Sequence, residues 1–314
     1  MDVAHAVTRL GGVTTRAALR ELVTRGALAR AVDAGHVVRL GRGRYGLPGA
    51  AEVRHAAASV SGVVSHRSAA LHHGWAVKTV PALPDVTVPR GRHLRPDDRA
   101  RVCPHFADLP PTDVAGGVTR RTRTLADCLR TLAFDEALAV ADSALRLGSI
   151  TTDGLRELAG ALRGAGAGQA RRVAGAASGR AANPFESVLR AISLAVPGLA
   201  LVPQLPVTAP AFWVQPDLVD PALRLVAEAD SFSWHGSRSA LRDDARRYCN
   251  LVARGWTVLR YSWEDVMFDP DHVRGTLAMT TTLLAGHAEV RDAVPPERRQ
   301  RDDPDFCMSD GRVS

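Results

Sequence analysis

The sequence has little that could cross-link or anchor the chain. Its four cysteines are scattered without a Cys-x-x-Cys pair, which argues against a structural zinc site and against a disulfide framework. No apolar run approaches the roughly 20 residues that a membrane span requires. The opening MDVAHAVTRL is a short amphipathic pattern and not a signal peptide. We therefore expect a cytoplasmic protein that has no membrane contact.

Lysine is also nearly absent, since Lys78 is the single lysine among 40 Lys and Arg residues. A mechanism that needs a lysine therefore has one candidate. The formal net charge is +7 and the sequence pI is near 10.0, which favours a polyanionic partner such as nucleic acid, although proteins that bind nothing acidic share this balance. With 314 residues, of which 46% are hydrophobic, the chain can form two or three domains.

Residues 1–50 combine three helical patterns with a basic hairpin. The segment VTTRAALRELVTRG predicts a helix that Thr14 or Thr15 caps and that closes near Gly26, and ALARAVDAG predicts a third short helix. HVVRLGRGRYGL alternates like two strands around a Gly-Arg-Gly turn. This order predicts a winged helix-turn-helix domain that binds DNA.

In a winged helix-turn-helix, one helix enters the major groove and the wing contacts backbone phosphates. The arginines that we expect to meet DNA are Arg25, Arg30, Arg39, Arg42 and Arg44. The alternative is a winged module for protein contact whose arginines are only solvated.

Three further regions are less specific. Residues 51–162 predict a mixed α/β middle domain, in which His66, His72 and His73 match no metal motif and are interpreted as polar or partly buried side chains. Residues 163–182 are rich in Gly and Ala and predict a linker or a loosely specified helix. Residues 291–314 alternate charge with proline and predict a disordered tail.

The first half of the chain resembles the AbiEi-type antitoxin and regulator family. The residues that carry this resemblance are GGVTTRAALRELVTRGALARAVDAGHVVRLGRGRYGLPG, VSHRSAALHHGW, PDVTVPRGR and TRTLADCLR. The resemblance implies a DNA-binding winged helix, often autoregulatory in that family. A cognate toxin or a second subunit is a possible partner on this basis.

Residues 183–290 contain the acids with the clearest chemical pattern. Glu228 and Asp230 alternate onto one face of the predicted strand LRLVAEAD, and Asp217 ends a neighbouring strand. Two acids on one strand and a third opposite can converge on one hard cation, so we expect these three acids to bind Mg²⁺ or Mn²⁺. The alternative is a sheet edge with solvated acids. Glu186 lies three residues after the helix cap Asn183, which is also the position of a capping-box residue.

The helix predicted after His235, SRSALRDDARRYCNLVARG, carries both apolar and basic residues. Its apolar face is predicted to consist of Leu241, Ala245, Tyr248, Cys249 and Val252. Arg242 and Arg246, together with Arg247, either hold backbone phosphate or form a solvated face.

The same region resembles the very short patch repair endonuclease and a related uncharacterised domain of the PD-(D/E)xK nuclease superfamily. The residues that carry this resemblance are FES at 185–187, PD at 216–217, EAD at 228–230, SFSWH ending at His235, and RDDARR leading to RGWTVLRYSWEDV.

The resemblance implies that Asp217 and Glu228 are metal ligands, that Glu186 is the acid of the first helix and that His235 is an active-site histidine. Asp230 stands where the superfamily has a lysine, and Lys78 lies outside the domain. Asp230 is itself a candidate catalytic residue, which could bind a second ion or a water molecule. Proton transfer would therefore use His235 or metal-bound water.

Together these patterns predict an α+β multidomain protein with an N-terminal winged helix-turn-helix, a mixed α/β middle region and a C-terminal restriction-endonuclease-like α/β/α domain. The expected function is Mg²⁺-dependent cleavage of DNA in defence, toxin–antitoxin or repair. The alternative is an antitoxin-like transcriptional regulator whose nuclease fold is inactive, and RNA is a third possible substrate.

Overall fold

A computed structural model of the protein describes residues 2–10, 12–41, 43–210, 212–230 and 238–293. In these ranges the chain is mixed α/β, with fourteen α-helices and four separate sheets of two to five strands. None of the helices described is both long enough and apolar enough to cross a membrane. Two predicted site residues, Arg42 and His235, lie outside the described residues, as does the predicted tail from residue 294 onward.

The N-terminal unit comprises three helices and a three-stranded antiparallel sheet in the order β1-β3-β2. Its elements are α1 (Val3–Arg9), β1 (Val13–Thr15), α2 (Arg16–Leu22), α3 (Arg25–Asp33), β2 (Val38–Gly41) and β3 (Arg44–Gly46). Strands β2 and β3 confirm the predicted hairpin. The predicted helix end near Gly26 is wrong: α2 ends at Leu22, because the side chain of Thr24 accepts a hydrogen bond from the Ala27 amide and starts a new helix.

The middle unit begins with a five-stranded sheet in the order β6-β5-β4-β8-β7. The strands are β4 (Val63–Val64), β5 (Asp85–Val88), β6 (Cys103–Phe106), β7 (Val114–Ala115) and β8 (Val118–Thr119), and the helices beside them are α4 (Ala50–Ser59), α5 (His66–His72) and α6 (Pro96–Arg99). All four residues of β5 are buried, so this strand lies in the core of the unit.

A layer of four helices follows the sheet. These are α7 (Arg121–Thr131), α8 (Phe134–Arg146), α9 (Thr152–Ala161) and α10 (Ala167–Ala176). Ala170 and Val173 of α10 are fully buried in the core shared with Leu129 and Leu138. Residues 163–182 therefore contain a packed helix and are not a linker, because the small side chains of α10 allow close approach to its neighbours.

The C-terminal unit is built on a four-stranded sheet in the order β14-β13-β12-β9, with a separate hairpin of β10 and β11. Its strands are β9 (Val202–Pro203), β10 (Val207–Ala209), β11 (Phe212–Val214), β12 (Leu218–Asp220), β13 (Leu225–Asp230) and β14 (Thr257–Ser262). Its helices are α11 (Pro184–Ser193), α12 (Arg238–Val252), α13 (Trp263–Phe268) and α14 (Pro270–Ala293). Because α14 continues to Ala293, the first three residues of the predicted tail are helical.

A buried ion pair joins α11 to the helical layer of the middle unit. Arg190 Nη2 lies 2.6 Å from Asp142 Oδ2, and the Ser187 hydroxyl donates to the same oxygen at 2.8 Å. Removing one partner of such a pair leaves an uncompensated buried charge. This contact therefore fixes the position of α11, whose first turn carries Glu186.

Candidate carboxylate site

Three separate elements bring Glu186, Asp217 and Glu228 to one end of the C-terminal sheet. Glu186 lies in the first turn of α11, where the Asn183 side chain accepts a hydrogen bond from its amide. Asp217 directly precedes β12, which pairs antiparallel with β13 so that Leu218 lies opposite Ala227. Glu228 follows Ala227 and is therefore next to Asp217. We call these three residues the carboxylate site.

The side-chain amide of Gln204 bridges two of the acids. Its Nε2 donates to Glu186 Oε2 at 3.0 Å and to Asp217 Oδ1 at 3.3 Å. Backbone amides complete the arrangement, since Ala182 donates to Glu186 Oε2 at 2.8 Å and Ala229 donates to Asp217 Oδ2 at 2.9 Å. The carboxylates are thus oriented by hydrogen bonds from fixed donors.

The predicted capping role of Glu186 accounts for only part of its contacts. Its carboxylate accepts from the Ala182 amide and from Asn183 Nδ2, both at the start of α11. The bond from Gln204 joins it in addition to Asp217. Glu186 is 3% exposed, so its charge is held in a poorly solvated position that a helix cap does not require.

Glu228 has a charged partner but an incompletely satisfied oxygen. Arg247 Nη1 lies 3.1 Å from Glu228 Oε1, yet the geometry of this ion pair leaves Oε1 without an aligned hydrogen bond. Arg247 Nε is likewise buried and unpaired. A buried polar atom without a hydrogen bond is costly. The described contacts therefore leave both groups able to gain from a further ligand.

Burial and mutual repulsion raise the pKa values of the acids in the carboxylate site. Desolvation and then the charge of Asp217 raise the pKa of Glu186 to about 8 and that of Glu228 to about 8. Desolvation also raises the pKa of Asp217, against the opposing effects of the Ala229 amide and other donors. Acids this close cannot all ionise at neutral pH without a cation.

Asp230 has a different partner from the other acids. It forms an ion pair with Arg260 of β14, and the Arg260 guanidinium lies 4.2 Å from the centre of the Tyr248 ring. The structure therefore places Asp230 on the strand that carries Glu228, with its charge compensated by a neighbouring arginine.

The buried face of α12 differs from the predicted apolar face. Leu251 is fully buried and Tyr248 and Arg247 are half-buried, whereas Val252 is 59% exposed and Cys249 is also exposed. The prediction placed Cys249 and Val252 inside because it weighed hydrophobicity alone. The helix instead turns Arg247 towards Glu228, since an ion pair there offsets the burial of the acid. Arg242 and Arg246 are exposed.

The predicted DNA-contacting arginines of the N-terminal unit fall into two groups. Arg25 and Arg30 of α3 and Arg39 of β2 are exposed. Arg44 instead points into the protein, where Nη2 donates to the backbone oxygen of Gly74 at 2.6 Å. This hydrogen bond to the middle unit does not favour the predicted wing contact, because it engages one nitrogen of the half-buried guanidinium.

A second polar cluster lies in the middle unit. Asp85, Cys103 and His105 lie on adjacent parallel strands and could approach one metal ion. However, Arg67 Nε donates to Asp85 Oδ2 at 3.0 Å and His105 Nε2 lies 3.0 Å from Oδ1. These hydrogen bonds lower the pKa of Asp85 to about 2 despite its burial. The Asp85 carboxylate is thus compensated by Arg67 and His105 without a metal ion, unlike the acids of the carboxylate site.

The three histidines of the middle unit differ in their surroundings. His66 is buried and its ring stacks on His105 with centroids 3.5 Å apart, and burial lowers the pKa of His66 to about 3. His73 is half-buried, with Nε2 2.8 Å from the Thr119 oxygen, whereas His72 is exposed. His72 and His73 do not belong to the Asp85 cluster.

Asp217 and Glu228 offer adjacent oxygen ligands to a hard divalent cation, whereas Glu186 is joined to Asp217 through Gln204. In the described part of the chain, only Asp85, Cys103 and His105 bring three ligand atoms within 4.8 Å of one another. Carboxylate oxygens are the ligands that Mg²⁺ and Mn²⁺ prefer, and Glu228 Oε1 is an unsatisfied oxygen beside Asp217. Sequence reasoning missed Gln204 and did not single out Arg247 from its helix. The backbone of Gln204 has a positive φ of 54°, and nothing in the sequence PQLP predicts this conformation.

Comparison with known proteins gives distant relatives without an assigned activity. No family model matches the chain. Two uncharacterised proteins of Mycobacterium tuberculosis, MT2308 of strain CDC 1551 and Rv2248 of strain H37Rv, are each 29% identical over 162 residues, which is 49% of this chain. The match covers 58% of the length of each relative.

Among solved structures, the crystal structure of the RV2827C protein from Mycobacterium tuberculosis matches with a TM-score of 0.30 and 15% identity. That match covers 67% of this chain and 88% of the other. A similarity of this degree carries no conclusion about fold or function.

Proposed function

We propose that the protein binds DNA and that its carboxylate site hydrolyses phosphodiester bonds with Mg²⁺ or Mn²⁺. The observation that carries this proposal is the burial of Glu186 and Glu228 beside Asp217, with the pKa of each glutamate raised to about 8. Such a cluster is unfavourable in the metal-free protein, and a divalent cation would remove the repulsion that makes it so.

Asp217 and Glu228 would hold the cation. Glu186 would help to orient Asp217, because Gln204 donates to both carboxylates. When bound, the cation polarises the phosphodiester and lowers the pKa of a water molecule. The protein contributes orientation, because Gln204 and the Ala229 amide hold Asp217 by hydrogen bonds. We assign proton transfer to His235, as the sequence resemblance implies, although this residue lies outside the described ranges.

Arg247 is the cation of this chain best placed to act beside the acids. Its Nη1 is 3.1 Å from Glu228, and its Nε is buried without a hydrogen bond. This guanidinium would donate to a phosphate oxygen of the substrate in the fork geometry that arginine favours. Arg247 would thus supply the positive charge that a lysine supplies in the resembled nuclease superfamily, where this chain has Asp230.

The N-terminal unit would supply DNA binding as a winged helix-turn-helix. Its three helices and the β2–β3 hairpin follow the order of that fold, and α3 presents exposed Arg25 and Arg30. These arginines would neutralise phosphates or read base edges in the major groove. Exposed Arg242 and Arg246 of α12 could extend the contact to the DNA backbone.

An antitoxin-like transcriptional regulator with an inactive nuclease fold is the second candidate. The pairing of Asp230 with Arg260 favours it, because the position that carries a lysine in the resembled superfamily here carries an acid already engaged in an ion pair. The regulator would bind DNA through the N-terminal unit and a toxin or second subunit through another surface. It predicts DNA binding without cleavage.

The test is incubation of the purified protein with supercoiled plasmid, linear duplex, single-stranded DNA and RNA in Mg²⁺, Mn²⁺, Ca²⁺ or EDTA. Nuclease function predicts cleavage in Mg²⁺ or Mn²⁺ that is lost in EDTA and in the Asp217→Asn variant. Asp243→Asn is the matched control, because Asp243 is an exposed acid of α12. Cleavage that persists in Asp217→Asn would contradict the proposal, and binding without cleavage would favour the regulator.

A further inference from the structure

The N-terminal unit contacts the C-terminal unit through Arg9, at the end of α1. Arg9 Nη2 lies 3.6 Å from Glu264 Oε1, and its guanidinium lies 4.7 Å from the centre of the Trp263 ring. The Arg9 side chain is only 12% exposed, whereas Glu264 remains 64% exposed. Trp263 and Glu264 begin α13, directly after β14 of the sheet that carries Glu228.

A second contact brings α2 to the start of α11. Thr15, the N-cap of α2, and Ala18 of α2 line a narrow cavity of about 50 Å³ together with Asn183 and Pro184. Asn183 also donates to the carboxylate of Glu186. The start of α2 therefore lies next to the helix turn that carries Glu186.

Glu21 lies on the same face of α2 as Ala18, because residues three apart are neighbours on a helix. Glu21 is exposed, and its pKa is raised by partial desolvation and then by the charges of Asp217 and Asp244, while Arg20 and Arg247 oppose the change. The carboxylate of Glu21 is therefore within electrostatic reach of the carboxylate site and of Arg247. This position of Glu21 agrees with the contact of Arg9 with α13 and with the packing of α2 near the start of α11.

We propose that α1 and α2 of the N-terminal unit cover the carboxylate site and that the contact of Arg9 with Trp263 and Glu264 holds this closed arrangement. DNA could then reach the acids only after the N-terminal unit moves away. The gating of cleavage rests on the function proposed above, whereas the covering of the site does not. The contact would act as an autoinhibitory device.

The contact of Arg9 with Trp263 and Glu264 is of a weak kind, because Glu264 is largely exposed. Arg44 also joins the N-terminal unit to Gly74 of the middle unit, so opening must break this hydrogen bond or leave β3 in place. Salt screens the pair between Arg9 and Glu264, so we expect closure to weaken as ionic strength rises.

The test is hydrogen exchange of the full-length protein over residues 183–193 and 212–230, with three charge variants. Arg9→Glu and Glu264→Arg each place like charges together and should speed exchange in both segments severalfold. The double variant, Arg9→Glu with Glu264→Arg, restores an ion pair and should return exchange towards the wild-type rate. Arg171→Glu, at an exposed site on α10, is the control with the same charge change.

Exchange unchanged in Glu264→Arg, or not restored in the double variant, would overturn the covering of the site. Because Glu264 is largely exposed, this variant does not depend on repacking of the core. Cleavage is measured in the same proteins at limiting Mg²⁺, where gating predicts a severalfold faster rate in each single variant. Faster exchange with an unchanged rate would overturn gating. Absence of cleavage in every protein would refute the nuclease function and gating with it, and exchange alone would then decide the covering.

Discussion

Arg247 Nη1 lies 3.1 Å from Glu228 Oε1, and the two residues belong to a helix and a strand that are separated along the chain. The ion pair only partly compensates Glu228, because desolvation and Asp217 still raise its pKa to about 8. The charge of the carboxylate site therefore depends on what else binds there.

Asp217→Asn should abolish cleavage while it preserves DNA binding, because it removes a metal ligand charge and keeps the side-chain shape. In EDTA two effects of opposite sign act on stability: the repulsion from Asp217 is lost, but the Asn side chain has one acceptor oxygen and cannot accept from both Gln204 and the Ala229 amide. Mg²⁺ should raise the melting temperature of the wild type more than that of the variant. An equal Mg²⁺ response in the two proteins would contradict metal binding by Asp217.

The stability of the metal-free protein should carry a pH signature of the buried glutamates. Glu186 and Glu228 have folded pKa values of about 8, above the ordinary value of 4.5. Between these values the folded protein holds more protons than the unfolded chain, so the contribution of both residues to stability falls as pH rises from about 5 to about 8.

Glu228→Gln should reduce this loss, which urea unfolding in EDTA at pH 5, 6.5 and 8 would measure as a difference from wild type. Asp243→Asn should leave the pH profile unchanged. Identical profiles for wild type and Glu228→Gln would show that Glu228 is not held protonated in the fold.

Arg247→Ala should lower the cleavage rate by about 10²-fold, the order expected when one charged donor to a transition state is removed. Arg247→Lys should recover only part of the loss, because lysine lacks the planar fork. The affinity of the Arg247→Ala variant for duplex DNA in Ca²⁺ should change less than twofold. The variant would then be defective in the turnover rate and not in DNA binding. Arg171→Ala, at an exposed site on α10, is the control for the loss of one positive charge, and an equal loss there would assign the effect to general charge.

Arg25→Ala combined with Arg30→Ala should weaken duplex binding. The slope of log affinity against log salt concentration should fall in magnitude by about 2, because each arginine removed leaves one phosphate whose counterion is no longer released on binding. Arg44→Ala should alter the slope little, since its guanidinium is engaged by Gly74. Fluorescence anisotropy over a KCl series measures both. An unchanged slope in the double variant would remove α3 from the DNA-binding surface.

The sequence by itself determined several local elements. The Gly-Arg-Gly turn between alternating residues specified the β2–β3 hairpin, and Asn183 with Pro184 specified the start of α11, because capping and turn chemistry act within a few residues. Strand alternation likewise placed Glu228 and Asp230 on one face of β13. The boundary between α2 and α3 was not predictable from the sequence. Gly26 signals the end of a helix, whereas Thr24, two residues earlier, is a cap that can start a new one.

Tertiary structure alone decided which distant groups meet. Gln204 bridges Glu186 and Asp217, and Arg247 turns towards Glu228, although hydrophobicity favoured another face of α12. These contacts lower the cost of burying charge, which depends on all neighbours of an acid and not on its position in a strand. The sequence places Arg44 in the wing hairpin, but packing against the middle unit directs its guanidinium to Gly74. Arg9 lies beside Glu264 because two units that are remote in the chain come together.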